Sequence, residues 1–255
     1  MAGFLVETTI AIAQAPDKID RSTFGFSVGL SHFQLKERLI NNLAHTGWGF
    51  CAGGIYLKPA VRSNHRLAFN VGFNMLKSAF EEESSTYLIH SSLTYRYNYR
   101  IISINDRTDL YIGGQAGMEA TQGIYENWDE NHFYWLTAYT LGLNGRLQIN
   151  VSDRSAFSFE GNLPFIALVS RTPATRLIHE DNPVFSSVVG KIHEHPSLAS
   201  WPDHFAVEFK LGYTFSFKGK SRQTIFWQGN YISNDIARSK KINIINHTAG
   251  IEFLF

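Results

Sequence analysis

His90 and Ser92 are two residues apart, and their types and spacing could support covalent chemistry. A serine hydroxyl becomes a nucleophile when a base lies within hydrogen-bond reach and a third group orients that base. Residues i and i+2 of an extended strand point to the same face, and Glu119 or Glu208 could supply the orienting carboxylate. The same spacing arises by chance on any polar strand face, so the pair defines only a weak candidate site.

Histidines and acidic residues also cluster between residues 171 and 203. His179, His193 and His195 are candidate metal ligands, because clustered imidazole and carboxylate groups can hold a divalent cation. A His-x-His sequence in a loop is more often solvated surface than a metal site. We therefore predict no cofactor.

The elements that position these side chains follow a period of two. From Phe205 to Phe217 each odd-numbered residue is apolar or aromatic, and the residues between them are small, polar or charged. An alternation of 180° per residue is the signal of a strand with one apolar face. This strand is long enough for the tilted span of about 9 to 11 residues that crosses a bilayer.

The same alternation recurs along the chain and predicts an all-β fold, a closed antiparallel up-and-down transmembrane β-barrel. The chain is 44% hydrophobic and 14% aromatic, yet its mean hydropathy is only −0.15, as expected when lipid-facing and interior residues alternate. No apolar run reaches the roughly 18 residues of a transmembrane helix. The ten predicted strands cover residues 22–35, 48–60, 65–79, 86–102, 108–124, 133–151, 155–169, 204–218, 222–234 and 241–255.

The links between these strands are of two alternating kinds: one kind is short, and the other is longer in most cases. The longest link runs from residue 171 to residue 203. Outer-membrane barrels have short periplasmic turns, longer extracellular loops and an even strand count. We therefore expect both termini in the periplasm and loop 171–203 outside the cell. Residues 22–255 form the barrel, and residues 1–21 are expected to be a signal remnant or a periplasmic N-terminal extension.

The end of the chain carries the most specific mark. Every second position of the last strand is apolar or aromatic, and the last residue of the sequence is aromatic: these positions are Ile251, Phe253 and Phe255. This pattern resembles the C-terminal signal of Gram-negative outer-membrane β-barrel proteins, which the barrel-assembly machinery reads. The resemblance implies an outer-membrane location, contact with lipid and lipopolysaccharide, and assembly through that machinery. It identifies an architectural class and matches no specific functional family.

The strand face opposite the apolar one fills the barrel interior and carries the charged residues. On the lipid face an Arg or Lys at mid-depth would cost about 2 to 4 kcal/mol, and buried charges need partners. A three-residue hairpin loop at 152–154 places Arg146 opposite Glu160. We therefore predict a plugged, salt-bridged lumen. Its charge set comprises Arg96, Arg100, Glu119, Arg146, Glu160, Glu208, Lys210 and Glu252.

Two kinds of outer-membrane enzyme offer partial resemblances. The His90 and Ser92 pair is similar to that of lipid A deacylases, which would imply lipid hydrolysis with Glu119 as the acid, but the flanking pattern of that family is absent. Ten-stranded outer-membrane proteases carry Asp-Asp and Asp-His pairs at the extracellular rim, where this chain has Asp203 and His204 without a matching motif. The sequence therefore favours a non-enzymatic role.

The long loop contains an apolar stretch, residues 184–192, and loops of this length are usually functional or disordered. The leading hypothesis is a structural, accessory or binding subunit of an envelope complex, with other outer-membrane proteins or lipoproteins as partners. The alternatives are a narrow channel for ions or small solutes and a lipid-modifying hydrolase. A net charge of +1 gives no electrostatic reason to expect nucleic acid. The contact candidates are Val184, Phe185, Val188, Val189, Ile192 and Trp201.

Overall fold

The computed structural model of the protein describes most of the chain. The described residues are 22–37, 44–78, 85–105, 107–125, 132–171, 196–201, 203–217, 221–236 and 241–255. They form eleven β-strands, and none of them belongs to a helix long and apolar enough to span a membrane. The strands are β1 (Thr23–Glu37), β2 (Ala44–Pro59), β3 (Ser63–Ser78), β4 (Ser85–Ile104), β5 (Thr108–Tyr125), β6 (His132–Ser152), β7 (Ser155–Arg171), β8 (Ser197–Ser200), β9 (His204–Phe217), β10 (Ser221–Asn234) and β11 (Ile242–Leu254).

The strands form one closed antiparallel barrel. Apart from the short β8, which among the described strands pairs with β7 alone and so makes β7 the neighbour of β9, consecutive strands are neighbours around the wall. Strand β11 closes the ring by pairing with β1 from Gly25↔Leu254 to Glu37↔Ile242. A sheet that crosses a bilayer must close in this way, because unpaired backbone groups are costly in lipid. The predicted fold class is therefore confirmed, and each of the ten predicted strands is present. We call the end that carries Thr23 and Phe255 the terminal end, and the opposite end the loop end.

The eleventh strand, β8, is a short insertion that the sequence analysis assigned to loop 171–203. Pairing between β7 and β9 ends at Asn162↔Glu208, and beyond it Ile166 of β7 pairs with Ser200 of β8. Pro164 lies between these two points, and proline has no N–H to donate to a neighbouring strand. The pairing register against β6 also shifts at this height. The wall between β7 and β9 is therefore interrupted at Pro164.

The outer surface of the barrel is apolar and aromatic. Phe24, Leu30, Trp48 and Phe50 are 67%, 65%, 69% and 62% exposed, and similar side chains surround the barrel on the predicted outward parity. An exposed apolar surface of this extent marks a membrane contact rather than a water-facing one. The outward parity therefore faces lipid, except near the loop end of β6, where the outward Trp135 and Thr137 are buried.

The interior has two layers of different chemistry. Near the terminal end and at mid-height most inward side chains are polar or charged, with Ile55, Phe226 and Leu254 as apolar exceptions. Near the loop end the inward apolar side chains form a cluster in which no member is more than 5% exposed. The polar layer agrees with the prediction from the sequence, whereas the apolar layer was not predicted. The apolar layer consists of Phe33, Leu35, Leu76, Leu88, Tyr134, Leu136, Ala138, Ala167, Val169, Ala199, Ala206, Ile232, Ile242 and Ile244.

Candidate functional site

Arg96 is the centre of an ion-pair network in the lumen. Its Nη1 donates to Glu160 Oε2 at 3.2 Å, and its Nη2 donates to Glu208 Oε1 at 2.6 Å and to Oε2 at 2.8 Å. The planar guanidinium suits this arrangement because it presents several donors in a fixed fork. One side chain of β4 thus joins β7 and β9 across the interior.

A second group of ion pairs is centred on Glu252 of the C-terminal strand. Arg66 Nη2 lies 2.7 Å from Glu252 Oε1, and Lys210 Nζ contacts the same oxygen. The Lys210 ammonium also lies 4.3 Å from the centroid of the Phe226 ring, a cation–π geometry. Glu252 therefore ties β3 and β9 to the strand that closes the barrel.

Two looser pairs lie toward the terminal end. Arg146 and Glu160 are cross-strand partners, as the hairpin register predicts, and Arg146 Nε lies 3.6 Å from Glu160 Oε1. Arg100 Nη1 lies 3.6 Å from Asp109 Oδ1, and its side chain is 31% exposed. The burial of these pairs decreases toward the terminal end of the barrel.

Arg66 and Asp109 belong to the network but were absent from the predicted set. Arg66 shares the inward parity of Asn70 and Asn74, and Asp109 shares that of Glu119, so parity alone could have identified both. The predicted lumen set has four acidic and four basic residues, so the addition of Asp109 and Arg66 gives five of each. The lumen charges remain balanced.

The residues of the predicted catalytic pair lie in the lumen but are not joined to each other. His90 Nδ1 lies 3.0 Å from Thr121 Oγ1, and Ser92 is the cross-strand partner of Glu119. The Glu119 carboxylate is hydrogen-bonded to Asn230 on the far side of the lumen. Within the described part of the chain, no hydrogen bond connects His90 with Ser92. These residues are close in register, but His90 is bonded to Thr121 and Glu119 to Asn230 rather than to each other or to Ser92.

Most of the predicted loop and metal residues lie outside the described residues. Trp201 is described; it is 46% exposed, with its ring centroid 5.3 Å from that of Phe205. His204 is buried at the loop end and lies within hydrogen-bond distance of Asn234, at 3.3 Å. Those outside are the loop candidates Val184, Phe185, Val188, Val189 and Ile192, the metal candidates His179, His193 and His195, and residues 1–21.

No protein-family model and no curated protein matches the chain. Among solved structures, the outer membrane protease OmpT from Escherichia coli aligns over 93% of this chain and 98% of its own, with a TM-score of 0.59 and 9% identity. The chain has the fold of an outer-membrane β-barrel. At this identity the likeness is one of fold. The belt of lipid-facing side chains and the closed barrel are those of Gram-negative outer-membrane proteins of this fold.

Two further barrels align over most of this chain with lower scores. The translocator domain of the autotransporter NalP from Neisseria meningitidis covers 91% of this chain and 87% of its own, with a TM-score of 0.46 and 10% identity. The Yersinia pestis protein Ail aligns over 92% of this chain and 99% of its own, with a TM-score of 0.41 and 12% identity.

Proposed function

We propose that this protein is a sealed, non-conducting outer-membrane barrel that acts as a structural, accessory or binding subunit of an envelope complex. The observation that carries the proposal is the double closure of the lumen. The charge network around Arg96 and Glu252 spans the interior, and the apolar layer closes it nearer the loop end.

The apolar layer is the stronger barrier of the two. Phe33, Leu76, Leu88 and Tyr134 in this layer are each 0% exposed, so water does not reach their side chains. Apolar constrictions block ions because water and its dissolved charges are excluded from them. Below this layer, any solute would also have to displace buried ion pairs. A lumen built in this way holds the wall together and does not transport.

A barrel without a conducting lumen acts through its outer surface. The exposed Trp201 and the apolar stretch 184–192 make segment 171–203 the contact surface that we propose for a protein partner. The C-terminal strand supplies a second contact: Ile251 and Phe255 point outward and are 38% and 65% exposed. We propose that the assembly machinery reads these two side chains, because they are accessible while Glu252 points inward.

The sealed-lumen proposal is tested by recording currents from the purified protein in planar lipid bilayers. The wild type is expected to give no steady current at about ±100 mV. A porin reconstituted by the same procedure provides the positive control. Steady, ohmic single-channel steps from the wild type would contradict the proposal and favour the channel alternative.

The subunit proposal is tested by native electrophoresis of membranes solubilised in mild detergent. The wild type should migrate as an assembly larger than the 28.9 kDa chain, and replacement of residues 176–192 by a short Gly-Ser linker should release the free barrel. Migration of the wild type as a free monomer would overturn it. The lipid hydrolase alternative is not proposed, because no hydrogen bond joins His90 to Ser92 among the described residues. It stays a prediction from the sequence.

A further inference from the structure

A small cavity lies in the lumen between the charge network and the apolar layer. Its volume is about 10 Å³, and its lining includes Gln115, Gly117 and Glu119 of β5 with the hydroxyl-bearing Thr94 and Thr140 of the two neighbouring strands. A cavity of this volume has room for about one particle of the size of water. Gly117 contributes no side chain, and its position leaves the space open.

Glu119 differs from the other acids of the network. Glu160, Glu208 and Glu252 each have an Arg or Lys within salt-bridge distance. No described Arg or Lys lies within that distance of Glu119, whose hydrogen-bond partner is the neutral Asn230. A carboxylate withdrawn from bulk water is costly when no opposite charge neutralises it. Such a carboxylate is neutralised either by a proton or by a bound cation, and the adjoining cavity has room for the cation.

Gln115 supplies an independent observation that points to a ligand. Its side chain is only 8% exposed and lines the cavity, yet its Oε1 has no hydrogen-bond partner. A buried carbonyl oxygen without a partner loses about 1 to 3 kcal/mol relative to a satisfied one. The cavity thus combines an ion-pair-free carboxylate, an unused carbonyl oxygen and two hydroxyl oxygens.

We propose that this cavity binds one hard metal cation, such as Na⁺ or Ca²⁺, through the Glu119 carboxylate and Gln115 Oε1. Hard cations take carboxylate, carbonyl and hydroxyl oxygens as ligands, and Ca²⁺ tolerates irregular geometries of this kind. Thr94 and Thr140 complete the set of oxygen donors. Glu208 also lines the cavity, but Arg96 already neutralises it, so its contribution is the negative field.

The interruption in the wall gives the cation an entry. The cavity is also lined by Pro164 and Val207, which lie where β7 and β9 have separated. Val207 belongs to the outward parity of β9, three residues from its first residue, His204. The cavity therefore reaches the wall where β7 and β9 separate, next to Ala206 of the apolar layer.

The test uses the folded full-length barrel in detergent with the metal salts alone as probes. The unfolding temperature is measured in NaCl, CaCl₂ and MgCl₂ against choline chloride at equal ionic strength, because choline is too large for the cavity. Glu119→Gln removes the charge. Gly117→Ala fills the space, because its Cβ would lie 3.2 Å from Thr140 Oγ1 and 3.7 Å from Thr94 Oγ1. Gly123→Ala is the control on the same strand and face, where the Cβ makes an ordinary 3.6 Å contact with Tyr134.

At least one metal should raise the unfolding temperature of the wild type and of Gly123→Ala by roughly 5 to 10 °C at a hundredfold excess over Kd. That rise should disappear in Glu119→Gln and in Gly117→Ala. The proposal is overturned if no metal stabilises the wild type more than choline does, or if all four proteins respond equally. If Glu119→Gln does not fold, the comparison of the two alanine variants decides the question.

Discussion

Replacing Arg96 by methionine tests the stabilising role of the lumen network. The change removes the three contacts of 2.6 to 3.2 Å that join β4 to Glu160 and Glu208. Glu160 keeps Arg146 at 3.6 Å, whereas Glu208 loses its ion-pair partner. Removal of one partner from a buried ion pair costs about 3 to 5 kcal/mol because an uncompensated charge stays behind. We expect a loss of that size in the free energy of unfolding.

The assay is urea unfolding in phospholipid vesicles, followed by the fluorescence of the five tryptophans. Arg100→Met is the matched control: its 3.6 Å pair with Asp109 is partly exposed, and such pairs contribute about 1 kcal/mol or less. The double variant Arg96→Met, Glu208→Gln should recover part of the loss, because the unpaired charge is removed with its partner. If Arg96→Met destabilises the barrel no more than Arg100→Met, the network around Arg96 does not stabilise the folded barrel.

Three further predictions follow from the same two-layer interior and apolar exterior. Leu88→Ala should cost about 2 to 5 kcal/mol in vesicle unfolding, whereas Leu141→Ala, 54% exposed to lipid, should cost clearly less; equal losses would refute the apolar layer. Leu141→Arg should cost about 2 to 4 kcal/mol, and a neutral effect would mean that this face is in water. Phe255→Ala should slow the appearance of heat-modifiable, folded barrel in cells, and unchanged kinetics would remove its assembly role.

The exterior and closure of the barrel could be predicted from the sequence because side chains that face lipid must be apolar. The alternation from Phe205 to Phe217 identifies β9 and its orientation without any knowledge of its neighbours. The position of Arg146 opposite Glu160 also followed from the local hairpin register, although the predicted three-residue loop is wrong in detail: Ser152 pairs with Ser155, and the register shifts at Val151. Such features can be predicted because they depend only on a few consecutive residues and on contact with lipid.

The interior was harder to predict because a sealed lumen accepts both polar and apolar side chains. Phe33, Leu88 and Ile244 point inward with the polar residues of their strands, so the assumption that inward means polar missed the apolar layer. The four-residue β8 has no alternation long enough to detect, and only Pro164 hinted at the interrupted wall. The pairing of Arg66 with Glu252 joins residues 186 positions apart and depends on closure of the whole barrel.

The most direct test of a sealed barrel in a membrane is a spin-label accessibility scan of β3, on a background in which the free Cys51 is replaced by serine. Labels at the outward positions should collide with oxygen from the lipid, whereas labels at the inward positions should be shielded from both oxygen and a water-soluble nickel reagent. The outward positions are Leu67, Phe69, Val71 and Phe73, and the inward positions are Asn70 and Asn74. A period-two profile with shielded inward positions is predicted. High accessibility of the inward labels to the nickel reagent would reveal a water-filled lumen and contradict the account.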